Sequence, residues 1–263
     1  MCAALFPSRI LAALSVACAT AFFAPATARA SVLFVGSSGS LSASVLFSQS
    51  GSTLTVTLTN TSATGVSVPG DVLTAVFFSA AGDPTLTRTS AVLNAGSSVI
   101  VSSGPNPGTD PGGVVGGEWA YQHSISNGSL PGVNQGISSS GFSIFGPPDR
   151  FPGTNLQGPT SPDGVQYGIV GTGGITNPNG GIQKQGLIQN SVVFTLSGLP
   201  AGFNVNTDIG NVSFQYGTSL DETRIPGHPQ NAPEPATILL MGLSMGGLAA
   251  FHALKRKRTK VQI

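Results

Sequence analysis

The sequence predicts a mainly β protein: a single antiparallel β-sandwich-like domain with long Gly/Pro-rich loops, followed by a C-terminal transmembrane helix. Three observations predict it. Apolar and polar residues alternate with period two along the middle of the chain, the pattern of a half-buried strand. The 36 glycines and 19 prolines cluster in the gaps between these runs, where turns belong. Near the C-terminus, Pro235 to Leu254 carry no formal charge when His252 is neutral.

The chain opens with MCAALFPSRILAALSVACATAFFAPATARA. Arg9 precedes an apolar stretch, Ile10 to Phe23, and Ala28-Arg29-Ala30 is an A-x-A cleavage pattern, so residues 1–30 read as a secretory signal peptide cut between Ala30 and Ser31. The apolar stretch is too short, and ends in too many small residues, for a membrane span. Both cysteines, Cys2 and Cys18, lie inside this leader. The mature chain is therefore expected to hold no disulfide, thiolate metal site or cysteine nucleophile.

The clearest strand is STLTVTLTN: Leu54, Val56 and Leu58 share one face, and Thr53, Thr55, Thr57 and Thr59 share the other. ASVLFSQ (43–49) precedes it across a Ser50-Gly51-Ser52 turn, which predicts an antiparallel hairpin. Further strands are expected at 72–79, 97–103, 118–123, 141–146, 165–170, 190–198 and 211–217. Short strands separated by Gly/Pro turns argue for a sandwich or barrel-like domain over 31–220. Residues 102–117 and 146–164 read as long surface loops, and 221–232, DETRIPGHPQNA, as a linker.

From Ser31 to Ala232 four basic residues, Arg88, Arg150, Lys184 and Arg224, stand against nine acidic ones, a net charge of −5. Four scattered cations cannot neutralise a phosphate track, which excludes nucleic acid as a partner.

Catalytic chemistry is sparse. His123 shares a strand face with Trp119 and Tyr121, but no serine stands in a G-x-S-x-G elbow; GTSLD ends in Asp221. No catalytic residue is expected. Trp119 and Tyr121 are the candidate ligand contacts, as a stacking platform for sugar rings, set against the alternative that both are core. Asp221 and Glu222 are adjacent, and Asp149 and Asp163 share a loop, yet no D-x-D-x-D spacing appears, so no metal site is expected. GTGGIT (171–176) lacks the third glycine and the lysine of nucleotide loops. No cofactor is expected.

The tail reads APEPATILLMGLSMGGLAAFHALKRKRTKVQI. Its 20 uncharged residues, 235–254, span about 30 Å as a helix, the thickness of a hydrocarbon core. Lys255, Arg256, Lys257 and Arg258 follow, within a basic tail over 255–263, and predict that the C-terminus stays inside and the body outside. Proline at a first helical turn and a carboxylate beside it are also ordinary helix-start chemistry. The ordered set over 233–263 (Pro233-Glu234-Pro235, one apolar span, a basic end) resembles the PEP-CTERM sorting signal of exosortase-processed bacterial surface proteins.

The resemblance implies recognition at Pro233, Glu234 and Pro235 by an exosortase-type membrane protease or transpeptidase. It also implies transient anchoring through the helix, then export or attachment of the body. TLTVTLTNTSATGVSVPGDVLTAVFF and VSFQYGTSLDE look like segments of such proteins whose bodies have no assigned activity. The expected protein is then not an enzyme but a structural or binding component of the cell surface or extracellular matrix. Its precursor is expected in the inner membrane with its body in the periplasm. Expected partners are signal peptidase (at Ala28, Ala30 and Ser31), the sorting enzyme, the membrane and an exopolysaccharide. The alternatives are a carbohydrate-binding adhesin and a permanently anchored membrane protein.

Overall fold

The computed structural model describes residues 30–160 and 162–230. Ala28, Pro233, Glu234, Pro235, the span 235–254 and the cluster Lys255, Arg256, Lys257 and Arg258 lie outside the described residues. Among the described residues no helix is long and apolar enough to cross a membrane.

In chain order the strands are β1 (Ser31–Ser38), β2 (Leu41–Ser50), β3 (Thr53–Asn60), β4 (Leu73–Ala80), β5 (Thr87–Leu93), β6 (Ser98–Ile100) and β7 (Ala120–His123). There follow β8 (Gln135–Ser138), β9 (Ile169–Val170), β10 (Leu187–Gln189), β11 (Ser191–Ser197), β12 (Ile209–Tyr216), β13 (Arg224–Pro226) and β14 (His228–Gln230). A single-turn helix, α1 (Val205–Asp208), precedes β12, capped by the Asn204 side chain on Asn206 N–H. The fold is mainly β, as the period-two pattern predicts.

One sheet runs β14-β1-β2-β3-β11-β5, antiparallel throughout. The second centres on β4, with β12 and β13 on one side and β8-β7 and β9-β10-β6 on the other. It is mixed: β9 and β10 pair in parallel. The two sheets share one core. Phe47 of β2 meets Phe78 of β4 edge-on at 5.0 Å between ring centroids, and Trp119 meets Phe194 of β11 at 4.9 Å.

The alternation in β2, β3 and β11 has a simple cause. Ala43, Val45, Phe47, Leu54, Val56, Leu58, Val192, Phe194 and Leu196 point into that core, while their neighbours face water. The second sheet is buried on both faces. Phe78 of β4 joins the shared core; Phe77 packs on the opposite side with Ile125, Leu130 and Phe145. That is why residues 72–79 read as a continuous apolar run rather than an alternation.

Several expected strands change. Residues 141–146 form no strand: Ile144 N–H and Phe145 N–H both donate to Gly141 O (2.8 and 2.9 Å), and Phe142 and Ser143 take positive φ. Their apolar alternation serves to lay Phe145 over Phe77. Of 165–170 only Ile169–Val170 is strand, because Tyr167 has φ +56° and Gly168 N–H closes a turn on Val165 O. The 118–123 stretch begins as a 3-10 turn over Gly116–Glu118 before β7.

Residues 221–230 are not a linker. β13 pairs with β12 in the second sheet, and β14 pairs with β1 in the first, so this segment crosses the seam between the sheets. Gly36 makes room for the crossing: a Cβ there would lie 2.6 Å from Pro226 O.

Candidate functional site

Three places gather the residues that carry chemistry. The first is the end of the sandwich where the described chain begins and stops. Ser31 opens β1, and Gln49 N–H donates to Ala30 O at 2.9 Å. β14 lies antiparallel on β1 with Leu33 opposite Gln230 and Val35 opposite His228. β14 therefore runs toward the Ser31 end of β1, and Ser31 and Gln230 lie at the same end of the sandwich.

The second lies around His123. Asp83 (φ +45°) and Ser124 (φ +53°) occupy left-handed turns after β4 and β7. Ser124 Oγ donates to Asp83 Oδ2 (2.7 Å), and Ser124 N–H to Asp83 Oδ1 (3.1 Å). His123 Nδ1 stands 3.0 Å from the same Oγ. Gln135 Nε2 donates to Asp83 Oδ1 (2.7 Å), and the Tyr121 hydroxyl donates to Gln135 Oε1. Serine, not histidine, sits in the middle. Its one proton goes to the carboxylate, so by the hydrogen-bond network Nδ1 of His123 is the donor to Oγ. A nucleophilic serine needs the reverse, with its proton aimed at a histidine base. The network locks two turns together. Burial, assisted by the charge of Asp83, raises the Tyr121 phenol well above its ordinary value.

The proposed stacking platform is corrected by the structure. Trp119 and Tyr121 are 0% and 1% exposed, inside the core. Aromatic surface in a sandwich gains more from packing against Phe194 than from facing water.

The third place joins the two long loops. Glu118 is 6% exposed, yet its Oε1 accepts N–H groups of Leu156 (2.5 Å) and Gln157 (3.0 Å) from the 146–164 loop. Burial raises its carboxyl above the ordinary 4.5, against those two donors and the charge of Arg150, which pull it down. Thr154 N–H donates to Asp110 Oδ2 (2.7 Å), Arg150 to Gly117 O (2.8 Å), and the Tyr167 hydroxyl to Gly108 O (2.9 Å). So 102–117 and 146–164 are loops, as expected, but they are packed on each other. The sequence signal for this is the Gly116-Gly117 pair, since a side chain at either would strike the backbone of Pro152 or Thr154. Sequence reading singled out neither Glu118 nor Gln166.

The acid pairs do not converge. Asp149 accepts Gly146 N–H (2.7 Å) and faces Arg88 at 3.8 Å, while Asp163 is exposed. Glu222 closes its own turn by accepting the N–H groups of Thr218 and Ser219.

The outer face of the first sheet is a hydroxyl surface. Ser31, Ser48, Thr55, Thr195 and Ser90 lie in one cross-strand row, and Ser50, Thr53, Ser197 and Thr87 in another. Between the first of these and a third row of Val35, Ser44, Thr59 and Ser191 runs a more apolar one: Leu33, Leu46, Thr57, Val193 and Val92. None of these residues is charged. The hydroxyl array thus extends well beyond the single strand legible in the sequence. Strands twist by roughly 20–25° each, so five of them do not present a flat lattice.

No family model, no curated protein and no solved structure matches this chain.

Proposed function

We propose that this chain is an exported surface or extracellular-matrix protein sorted by an exosortase-type enzyme through its Pro-Glu-Pro tail, with a structural or binding body and no catalytic role. In this reading a single sandwich domain hangs from a helix over 235–254. The basic cluster 255–258 holds the helix's end inside, and processing occurs near Pro233–Pro235. The observation that supports it most is the pairing of β1 with β14. It brings Ser31 and Gln230 to the same end of the domain, as this reading requires if a leader and a tail are to engage one bilayer while the body folds beyond it. The uncharged hydroxyl face and the Ser124–Asp83 bond, which spends the serine proton away from histidine, support a non-catalytic body.

The test is the intact mass of the protein recovered from its native host, separately from membranes and medium. Loss of residues 1–30 and of everything after about Pro235 is the expected result. Loss of 1–30 alone, with all protein in the membrane, would make the tail a permanent anchor and overturn the sorting reading.

A further inference from the structure

A cleft of about 400 Å³ lies at the seam between the sheets, a volume in the range of small-molecule sites. It exists because the chain crosses there. β14 pairs with β1 only from Leu33 to Val35, while β1 runs on to Ser38. The bond from Gln49 N–H to Ala30 O sets the alternation along β1: even-numbered residues exchange bonds with β2, and odd-numbered ones face β14. Ser37 therefore turns its carbonyl toward the side that β14 has left. Pro226 stands there, its carbonyl oxygen 2.6 Å from where a Cβ on Gly36 would lie, and it has no N–H to give. Gly227 N–H is spent on Val212 O. The crossing chain thus leaves the Ser37 carbonyl without a strand partner, on the wall of the cleft.

The side chains around it are neutral hydrogen-bonding groups and aliphatic ones. Val35, Ile225 and Pro226 give the cleft an apolar wall, and Ser37, Ser42, Thr61 and His228 bring the polar atoms. Thr61 Oγ1 donates to Ser42 Oγ (2.9 Å), which keeps its own proton to give. Neither Ser37 Oγ nor the His228 ring has a partner among the described residues. No Asp, Glu, Lys or Arg lines the cleft, so an ionic ligand finds no counter-charge. A peptide strand does not fit, because past Ser37 the edge of β1 is already taken by β14. A neutral polyol does fit. Its hydroxyls both give and accept, as serine, threonine and imidazole do, and its C–H faces pack on an apolar wall.

We propose that this cleft binds a neutral polysaccharide, with its rings against Val35, Ile225 and Pro226 and its hydroxyls on Ser37, Ser42, Thr61 and His228. The proposal rests on the reading of the body as a binding component. Val35 also opens the cross-strand row that continues through Ser44 and Thr59. A glycan longer than the cleft runs on over that uncharged hydroxyl face.

The full chain, in a detergent without a sugar headgroup, is titrated calorimetrically with cellohexaose, laminarihexaose, maltohexaose and N-acetylchitohexaose. Hexagalacturonate is the charged probe of the same length. Saturable binding of at least one neutral probe is expected, and none of hexagalacturonate. Ser37→Arg changes an exposed side chain, so it leaves the thermal midpoint unchanged while weakening binding about tenfold or more. His228→Ala removes one neutral hydrogen bond and weakens it about fivefold. Thr87→Arg, exposed on the far edge strand of the same face, leaves affinity unchanged. Absence of binding by every neutral probe, equal binding of hexagalacturonate, affinity that Ser37→Arg and His228→Ala leave unchanged, or a loss with Thr87→Arg as large as with Ser37→Arg would each overturn the proposal. The intact-mass result is independent of this titration, so the sorting reading and the cleft can fail separately.

Discussion

A carboxyl group with 6% exposure is costly to ionise, and Glu118 offsets part of that cost with N–H donors from a different loop. Burial still wins, and its carboxyl stays above 4.5. The folded state then holds this proton to higher pH than the unfolded chain does. The stability contributed is fully present below pH 4.5 and is lost as pH rises through the folded value. Glu118→Gln keeps an oxygen for Leu156 and Gln157 but cannot titrate. Its thermal midpoint, measured without divalent cations, is expected to fall less than that of the parent chain as pH rises from 4.5. A parallel fall in both would remove Glu118 as the cause. Nothing in the sequence around Glu118 distinguishes it from a solvated loop acid; its burial is created by residues 38 and 39 positions away. Trp119 is the opposite case: the sequence offered both core and platform, and only the position of Phe194 decides between them.

At the scale of elements, the strands legible by alternation are those with one wet face, while β4 was legible as an unbroken apolar run. β3 and β11 alternate because their outer side chains, Val193 apart, are hydroxyls and their inner ones aliphatic or aromatic. β8, Gln-Gly-Ile-Ser, is fully buried, and its pattern carries no period. β13 and β14 were hidden for another reason. They are three residues each, with one proline apiece and Gly227 between them, and owe their form to the neighbours they pair with. Proline in the middle of an edge strand has a use, since it removes a donor that another chain would capture. Pro229→Val returns an N–H to the exposed edge strand. Sedimentation velocity is expected to show a shift toward larger species relative to the parent. An unchanged distribution would mean the edge is protected by something other than Pro229.

For the whole molecule, the seam between the sheets is closed by the last described strands, beside the point where β1 begins. β1 cannot complete its pairing with β14 until residue 230 has emerged, so folding depends on contacts nearly as distant as the domain allows. The expected leader cut falls between Ala30 and Ser31, and Ala30 O is held by Gln49 N–H. A protease acting there must reach a carbonyl already tied into the sheet edge. Cleavage is therefore expected to precede the closing of β1 on β2. Precursor folded before exposure to signal peptidase should be cut far more slowly than freshly synthesised chain, as read by intact mass over time. Equal rates would show that the first strand opens readily.

Any load carried by the chain beyond Gln230 enters the sandwich through a strand of three residues. Because that strand runs antiparallel to β1 and points toward its Ser31 end, such a load acts along the pair and meets all of its few bonds together, in shear. What resists it is the short register of three residues, Leu33 to Val35 on β1, with the two-sheet core behind.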